Sequence, residues 1–267
     1  MAGGWNSTTL RSEADALDVL AELRGRRWLS RGQSKPYGNL IPSFDRGKLR
    51  SLSRHVKLTL ERQSIDLFRS TARFFAASGE RGALTDDVIA LMVLRHHEVP
   101  TRLLDWSTSP YVAAYFATCG HDKEDGEIWS FDEPLYENEG TKQWKRWPET
   151  TTDGSGDPSK FAAGLTAFSL KEPPDWFICG FYTGFPRQDA QAGAYTMTAR
   201  FGRNHADTIA RLLKKPSHYR RYVISAKLKP TLRKRLHESH GIWRGALFPD
   251  TAGAAATART TFSGYGV

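Results

Sequence analysis

The sequence predicts an α+β fold: one domain with a helical N-terminal half packed on a small mixed or antiparallel sheet. Apolar residues recur at helical spacing through residues 53–78 and 85–97 in the first half. In the second half, residues 126–131 and 191–200 alternate between apolar and polar, as strands do. Of the 267 residues, 39% are hydrophobic and 12% aromatic, which is enough apolar material for a sizeable core.

Capping residues and apolar spacing locate the individual elements. Ser12 is placed to cap a first helix that Gly25 ends, and Ser109 with Pro110 is placed to open a short helix. A long helix is predicted over 53–78, where the apolar residues that recur at roughly helical spacing are Val56, Leu60, Ile65, Leu67, Phe68, Phe74 and Phe75. Further helices are predicted at 85–97, 204–214, 231–239 and 248–259, and strands at 28–33, 101–106, 126–131, 176–182, 191–200 and 222–228.

The predicted organisation has three parts. An N-terminal helix occupies residues 1–24, the main domain 25–255, and a C-terminal tail 256–267. Within the domain, residues 133–174 are rich in Gly, Pro, Ser, Thr and charge, which predicts a long insertion of poorly regular, mobile chain.

Charge and cysteine content narrow the choice of partner and compartment. The 38 Lys and Arg against 29 Asp and Glu give a net charge of +9, which favours phosphate-bearing or otherwise acidic partners. Cys119 and Cys179 are isolated, so neither a disulfide framework nor a structural zinc site is expected. No apolar run reaches the ~18–20 residues that span a bilayer, and no signal-peptide pattern opens the chain. We therefore expect a cytoplasmic protein without membrane contact.

The segment from Arg95 to Pro110, RHHEVPTRLLDWSTSP, is the most informative part of the sequence. It resembles the central signature of the FRG domain family, and Arg31-Gly32-Gln33 resembles the family's name-giving motif. Further similarity is found at residues 42–46, 241–242 and 247–250, so the resemblance covers roughly residues 25–255. Three positions depart from the family's pattern: Ser30 stands for an aromatic residue, Arg95 for Gln and Glu98 for Gly.

The order of parts is also similar to that of ADP-ribosyltransferases, although less closely. Arg31 would lie on a first core strand, residues 101–108 would follow, then Tyr115-Phe116-Ala117 in a helix, and Gln191 on a later strand. This resemblance implies an ADP-ribosyltransferase-like fold with NAD as the substrate. The Glu-x-Glu motif of those enzymes is replaced here by Asp189-Ala190-Gln191, which argues against transfer to a protein side chain in particular.

Breaking the nicotinamide–ribose bond of NAD builds positive charge on the ribose, and this chemistry suggests a role for each candidate residue. Arg31 or Arg102 would clamp phosphate, and Trp106 or Tyr115 would stack on the ring. Asp105, Asp189 or Glu98 would steady the positive charge. The candidate catalytic residues are Arg31, Arg102, Asp105, Gln191 and His96, and the candidate substrate contacts are Gln33, Arg46, His97, Thr101, Trp106 and Tyr115.

Structural roles are open for the same residues. Arg31 and Asp105 could form a buried ion pair, or Arg102 could pair with Asp105 within a turn. The aromatic residues could belong to the core, and Cys119 has no evident base beside it. His96 and His97 would point about 100° apart on a helix, so no shared metal ion is expected.

Three functions remain open at this point. The first is an NAD-processing enzyme, either an ADP-ribosyltransferase or an NAD glycohydrolase, with a bacterial toxin or anti-phage effector as its suggested biological setting. The second is a non-catalytic module that binds nucleotide or nucleic acid. The third is a metal-dependent hydrolase or nuclease using His96, His97, Glu98 and Asp105. The partners expected are NAD or a related nucleotide and a protein or nucleic-acid acceptor; the sequence leaves the oligomeric state open.

Overall fold

The computed structural model describes residues 4–74, 76, 78–144, 177–180, 186–198, 200–259 and 261, and these include a seven-stranded sheet. The strand order is β1-β7-β4-β2-β3-β6-β5. β1 runs parallel to β7 and every other neighbouring pair is antiparallel, so the predicted α+β class with a mixed sheet is confirmed. The strands are β1 Ser7–Leu10, β2 Trp28–Gln33, β3 Leu103–Ser107, β4 Gly126–Asp132, β5 Phe177–Gly180, β6 Gly193–Thr198 and β7 Tyr219–Ile224.

Helices pack on both faces of this sheet. Their described ranges are α1 Glu13–Gly25, α2 Arg54–Ala72, α3 Asp87–His96, α4 Pro110–Thr118, α5 Glu133–Trp144, α6 Pro186–Ala190, α7 His205–Leu213, α8 Lys229–His240, α9 Arg244–Leu247 and α10 Thr251–Arg259. Short 3-10 turns link several of them. Within the described residues, no helix combines the length and apolar character that a membrane crossing requires.

Local capping explains where two of the predicted helices begin. The Ser12 hydroxyl accepts a hydrogen bond from the Asp15 backbone N–H at 3.1 Å, and Ser109 accepts one from Val112 at 3.4 Å. Each side chain satisfies a backbone donor that the first turn leaves free. The predicted caps of α1 and α4 are therefore confirmed.

The alternating residues of the central strands build separate apolar cores on the two faces. Trp28 and Ile128 pack with α1, α4 and α8, whereas Leu29 and Trp129 pack with α5 and α7 on the opposite face. Gly32 allows α4 to approach β2 closely, because a Cβ there would lie 1.9 Å from the Ala113 carbonyl oxygen. α4 is thereby held directly against the strand that carries Arg31.

Helix α2 buries only some of the apolar residues that recur at helical spacing. Ile65 is fully buried and Phe68 packs against the same apolar cluster, whereas Leu67 is 70% and Phe74 75% exposed. Ionic pairs hold the helix inward as well, because Lys57 donates to Asp45 at 2.5 Å and Glu61 pairs with Arg102.

Two further elements differ from the sequence prediction. Strand β1 lies within the segment predicted to hold only a helix, and it joins the sheet edge at β7. Residues 133–144 of the predicted irregular insertion form helix α5, because Asp132 accepts from the Leu135 N–H at 3.1 Å and Tyr136 is buried against Phe131. The remaining insertion, residues 145–174, lies outside the described residues, as do residues 262–267 of the predicted tail.

Candidate functional site

The sheet parts between β2 and β3, and a cleft of about 240 Å³ opens there. The two strands pair at Ser30 and Ser107 only. Next to that pair, the Arg31 guanidinium donates through Nη1 to the backbone carbonyl of Asp105 at 2.6 Å, where a strand-to-strand hydrogen bond would otherwise continue. The opening therefore places side-chain chemistry in the middle of the sheet. Among the residues that line the cleft are Arg31, Arg95, His96, Glu98, Asp105, Trp106, Phe116, Arg187, Gln188, Gln191 and Tyr195.

Asp105 is the central carboxylate of the cleft and is held by two arginines. Arg95 donates to both of its oxygens, through Nε at 2.9 Å and Nη2 at 2.7 Å to Oδ2, and through Nε at 3.2 Å to Oδ1. Arg31 Nη1 lies 3.6 Å from Oδ2. Burial opposes ionisation, but the charge of Arg95 and its hydrogen bonds outweigh it and lower the pKa of Asp105. Asp105 is therefore an anion at neutral pH.

Arg31 is a buried cation with an unused donor. Burial lowers its pKa to about 10, against the opposing charge of Asp105, so the guanidinium stays protonated at neutral pH. Its Nε is buried and has no hydrogen-bond partner among the described residues. The predicted contact between Arg31 and Asp105 is present, and Arg31 keeps a donor that a ligand can engage.

A second group of side chains lines the cleft around His96. Arg187 donates to the His96 backbone carbonyl at 3.3 Å, and its guanidinium lies 4.4 Å from the centre of the Phe248 ring. Burial, followed by the charge of Arg187, lowers the pKa of His96 to about 4. His96 is therefore a neutral imidazole at neutral pH and adds no positive charge to the cleft.

Gln191 and Trp106 also line the cleft, and both are fixed by hydrogen bonds. Gln191 donates through Nε2 to the Leu247 carbonyl at 3.0 Å, and its own backbone carbonyl accepts from Ser107 Oγ at 2.7 Å. Trp106 is 3% exposed and donates through Nε1 to Thr196 Oγ1 at 2.7 Å. The cleft thus brings together six residues predicted from the sequence: Arg31, His96, Glu98, Asp105, Trp106 and Gln191.

Arg102 lies elsewhere and does not pair with Asp105. It is 2% exposed and binds Glu61 of α2 with two hydrogen bonds, 2.7 Å from Nε to Oε1 and 2.5 Å from Nη2 to Oε2. The Phe201 ring centre lies 4.1 Å from its guanidinium carbon. The predicted pairing of Arg102 with Asp105 is wrong, because Arg102 pairs with Glu61 instead. This pairing buries the charge of Arg102 outside the cleft lining, where it does not reach a phosphate in the cleft.

Several predicted substrate contacts also lie outside the cleft lining. Gln33 bonds the Trp129 indole and the Asn39 carbonyl, and Thr101 is buried beside Ser43. Arg46 donates to the Ile41 carbonyl at 2.7 Å, although its charge lies close enough to lower the pKa of Arg31. His97 is exposed with Nε2 3.5 Å from Glu80. The local contacts of Gln33, Arg46, His97 and Thr101 explain why these side chains do not line the cleft.

Tyr115 belongs to a different depression. It is 6% exposed, and it lines a second pocket with Arg233, Trp243 and Arg244. Burial and a hydrogen bond with Cys119 raise the pKa of its hydroxyl. Of the two aromatic residues proposed as a shelf, only Trp106 therefore reaches the cleft. Among the proposed carboxylates, Asp189 is exposed and lies outside the lining, whereas Glu98 lines it.

Sequence reasoning missed several polar residues of the cleft, among them Arg95, Arg187, Gln188 and Tyr195. Arg95 had a signal, since it departs from the family pattern within the central motif. Arg187 and Gln188 lie on the five-residue helix α6, which follows a stretch without a recognisable motif. Only the packing of α6 against β6 brings these two side chains to the cleft.

Three of the four side chains proposed for a metal-dependent hydrolase, those of His96, Glu98 and Asp105, line the cleft. In the described part of the chain, however, no group of three or more His, Cys, Asp or Glu residues is arranged to hold a metal ion. His96 and His97 meet edge to face with ring centres 4.8 Å apart, and His97 faces Glu80. The donors that converge in the cleft are instead guanidinium and amide groups, which bind anions and neutral oxygen atoms.

Comparison with known proteins agrees with the central motif. Residues 26–126 match the family model of the FRG domain. The chain contains an FRG domain. The match includes β2, α3, β3 and α4, and hence Arg31, Arg95 and Asp105 of the cleft. The search of curated proteins found no match to this chain, and neither did the search of solved structures.

Two departures from the FRG pattern place charge in the cleft. Arg95, in place of Gln, supplies the two-pronged grip on Asp105. Glu98, in place of Gly, has a φ of +64°, in the left-handed region where a Cβ is unfavourable. This chain therefore accepts a strained backbone at the position that carries a carboxylate of the cleft lining.

We expect Glu98→Gly to stabilise the FRG domain by about 0.5–1 kcal/mol, because it relieves the left-handed strain at the cost of some chain entropy. Urea unfolding measures the gain. Lys214→Gly is the matched control, since Lys214 has a φ of +60° and lies at the end of α7, outside the cleft lining. Loss of stability in Glu98→Gly alone would show that the carboxylate makes a stabilising contact.

Acid will destabilise the protein through two histidines. Burial lowers the pKa of His205 to about 3 and that of His96 to about 4, both below the unfolded value near 6.5. Above about pH 6.5 both histidines are neutral in the folded and the unfolded chain, and the protein has its full stability. Below that pH the unfolded chain binds protons that the folded chain does not, so the free energy of unfolding falls. We expect the free energy of unfolding to fall between pH 7 and pH 5, by about 2 kcal/mol for fully buried His205.

Urea unfolding at the two pH values measures this loss, with His205→Gln as the test and His55→Gln, at an exposed position of α2, as the control. The test variant should show the shallower pH dependence. An equal slope in all three proteins would contradict the assignment to His205.

Proposed function

We propose that the cleft binds NAD and that the chain is an NAD-processing enzyme, either an ADP-ribosyltransferase or an NAD glycohydrolase. The observation that carries the proposal is a set of three arginines, Arg31, Arg95 and Arg187, which line one cleft. Among the described residues of the lining, two carboxylates oppose them, those of Asp105 and Glu98. The excess of guanidinium groups suits a pyrophosphate, which accepts paired hydrogen bonds from such groups.

The arrangement of elements supports the same proposal. β2, β3 and β6 are neighbours in the sheet, and α4 packs on β2. Arg31 of β2, Asp105 of β3 and Gln191, two residues before β6, all line the cleft, which supports the order of parts proposed from the similarity to ADP-ribosyltransferases. Asp105 is held as an anion beside the cleft, and an anion steadies the positive charge that builds on ribose when the bond to nicotinamide breaks.

The size of the cleft limits how much of NAD it encloses. Sites for drug-sized ligands begin near 300 Å³, so a volume of about 240 Å³ takes one ring with its sugar rather than a whole dinucleotide. We propose that the nicotinamide end enters, with Trp106 and Phe116 as its apolar walls, and that the adenosine end lies outside. This orientation places the reacting bond near Asp105.

The contact between Arg95 and Asp105 favours a second candidate function, in which the cleft binds a nucleotide without converting it. Both oxygens of Asp105 accept from Arg95, so the carboxylate is already engaged. A carboxylate held in this way orients and balances the arginines, and it is less available to a ribose. In this case the cleft would retain NAD or a related nucleotide and release no nicotinamide.

Incubation of the purified chain with NAD separates the two functions. We expect the chain to release free nicotinamide, which chromatography detects. We also expect it to bind ADP-ribose, which calorimetry measures. ADP-ribose binding without nicotinamide release would favour the binding module, and absence of both would overturn the proposal. A parallel reaction with EDTA tests the metal-dependent alternative, because removing divalent metal ions should stop a metal-dependent reaction and leave the proposed NAD reaction unchanged.

The proposed biological setting is a bacterial toxin or anti-phage effector, since an enzyme that consumes NAD arrests the cell that holds it. Controlled expression in a bacterial host should lower cellular NAD and stop growth. Expression of the Arg31→Ala variant to the same level should do neither. Growth arrest without a fall in NAD would contradict this role.

A further inference from the structure

Gln188 lines the cleft, and the proposed function gives its side chain no role. Its side chain is 6% exposed and lines the cleft, yet Nε2 is buried and has no hydrogen-bond partner among the described residues. A buried amide N–H without a partner costs free energy, so native structures rarely leave one unused. Gln191, the other glutamine of the lining, differs because its Nε2 is already bonded to Leu247.

The orientation of the Gln188 amide is fixed by Tyr195. The Tyr195 hydroxyl donates to Gln188 Oε1 at 2.6 Å within the protein interior. Burial raises the pKa of Tyr195, so this hydroxyl keeps its proton and remains a donor. The amide oxygen is therefore the bonded end, and the two N–H donors of Nε2 are the open end.

Gly193 makes room for this side chain. A Cβ at position 193 would lie 2.4 Å from Gln188 Nε2 and 2.6 Å from its amide carbon. Gly193 is the first residue of β6 and pairs with Ser107 of β3, so its backbone is fixed by the sheet. The absence of a side chain here lets Gln188 Nε2 lie directly against Gly193, and both residues line the cleft.

We propose that Gln188 Nε2 recognises a neutral oxygen acceptor of the ligand and so determines the specificity of the cleft. This inference rests on the proposed function, which supplies such an acceptor: the carboxamide oxygen of nicotinamide. Guanidinium groups bind the anionic part of the ligand, whereas a neutral amide donor suits an uncharged carbonyl. The subsite would thus distinguish NAD from ADP-ribose, which lacks the carboxamide.

Calorimetry with NAD and ADP-ribose tests the inference in the full chain. We expect Gln188→Met to weaken NAD binding about 10-fold, the loss of one hydrogen bond, and to leave ADP-ribose binding unchanged. Gln63→Met, at an exposed position of α2, is the control and should change neither. Equal weakening of both ligands, or of neither, would overturn the inference.

Gly193→Ala provides an independent test, because it keeps the amide and displaces it. The added methyl group should push Nε2 from its place and reproduce the selective loss of NAD affinity. If Gln188→Met does not fold, Gly193→Ala carries the test, and equal weakening of both ligands by that variant would overturn the inference.

The behaviour of the wild-type chain separates this inference from the proposed function. A chain that binds ADP-ribose and not NAD would overturn the carboxamide subsite and leave the arginine cleft as a nucleotide site. A chain that binds neither would overturn both. NAD binding that is tighter than ADP-ribose binding, and that loses this advantage in Gln188→Met, is the result we expect.

Discussion

Arg102→Met will destabilise the fold by about 3–5 kcal/mol, because it leaves the carboxylate of Glu61 buried without its partner. Glu61 is 1% exposed and receives two hydrogen bonds from Arg102. The pair joins α2 to the chain just before β3, so its loss should also loosen α2 from the sheet. Urea unfolding of the variant and the wild-type chain measures the change.

Two further variants make this result specific. Glu61→Leu combined with Arg102→Met replaces the ion pair by apolar side chains and should recover most of the lost stability. Arg62→Met, next along α2, removes a partly exposed partner of Asp87 and should cost no more than about 1 kcal/mol. If Arg102→Met instead unfolds like the wild-type chain and loses nucleotide binding, Arg102 is a ligand contact after all.

Local signals explain which parts of the fold could be predicted. Ser12 and Ser109 act within one turn of their own helices, so the sequence alone predicts the starts of α1 and α4. β1 carries no such signal: it is a short, polar edge strand that exists because β7, some 200 residues away, offers a partner. The buried face of α2 depends on Asp45 and Arg102 in the same way.

In the candidate site, too, some residues carry a local sequence signal and others depend on distant partners. Arg31 and Asp105 lie in recognisable motifs, and the structure brings them together across the opening between β2 and β3. Gln188 carries no sequence signal, since its importance arises from Tyr195, from the space left by Gly193 and from an unused donor. Residues of this kind are found only when the partners of every buried polar atom are traced.

Arg31→Ala should weaken ADP-ribose binding about 100-fold while the domain stays folded. Two charge-assisted hydrogen bonds to phosphate account for about 3 kcal/mol, which corresponds to that factor. The fold should survive because Asp105 keeps both oxygens bonded to Arg95 when Arg31 is removed. Calorimetry and thermal unfolding on the same protein measure the two effects.

Arg31→Lys is the matched control, because it keeps the charge and removes the planar fork. A phosphate bound in paired geometry should be weakened by this change as well, although less than by Arg31→Ala. Arg102→Met provides the contrast, with a large loss of stability and no selective loss of ligand. If Arg31→Ala lowers stability as much as Arg102→Met does, and binding falls only in proportion to the unfolded fraction, Arg31 is a structural link between β2 and β3. In that case the remaining arginines of the cleft, Arg95 and Arg187, would have to bind the anion without it.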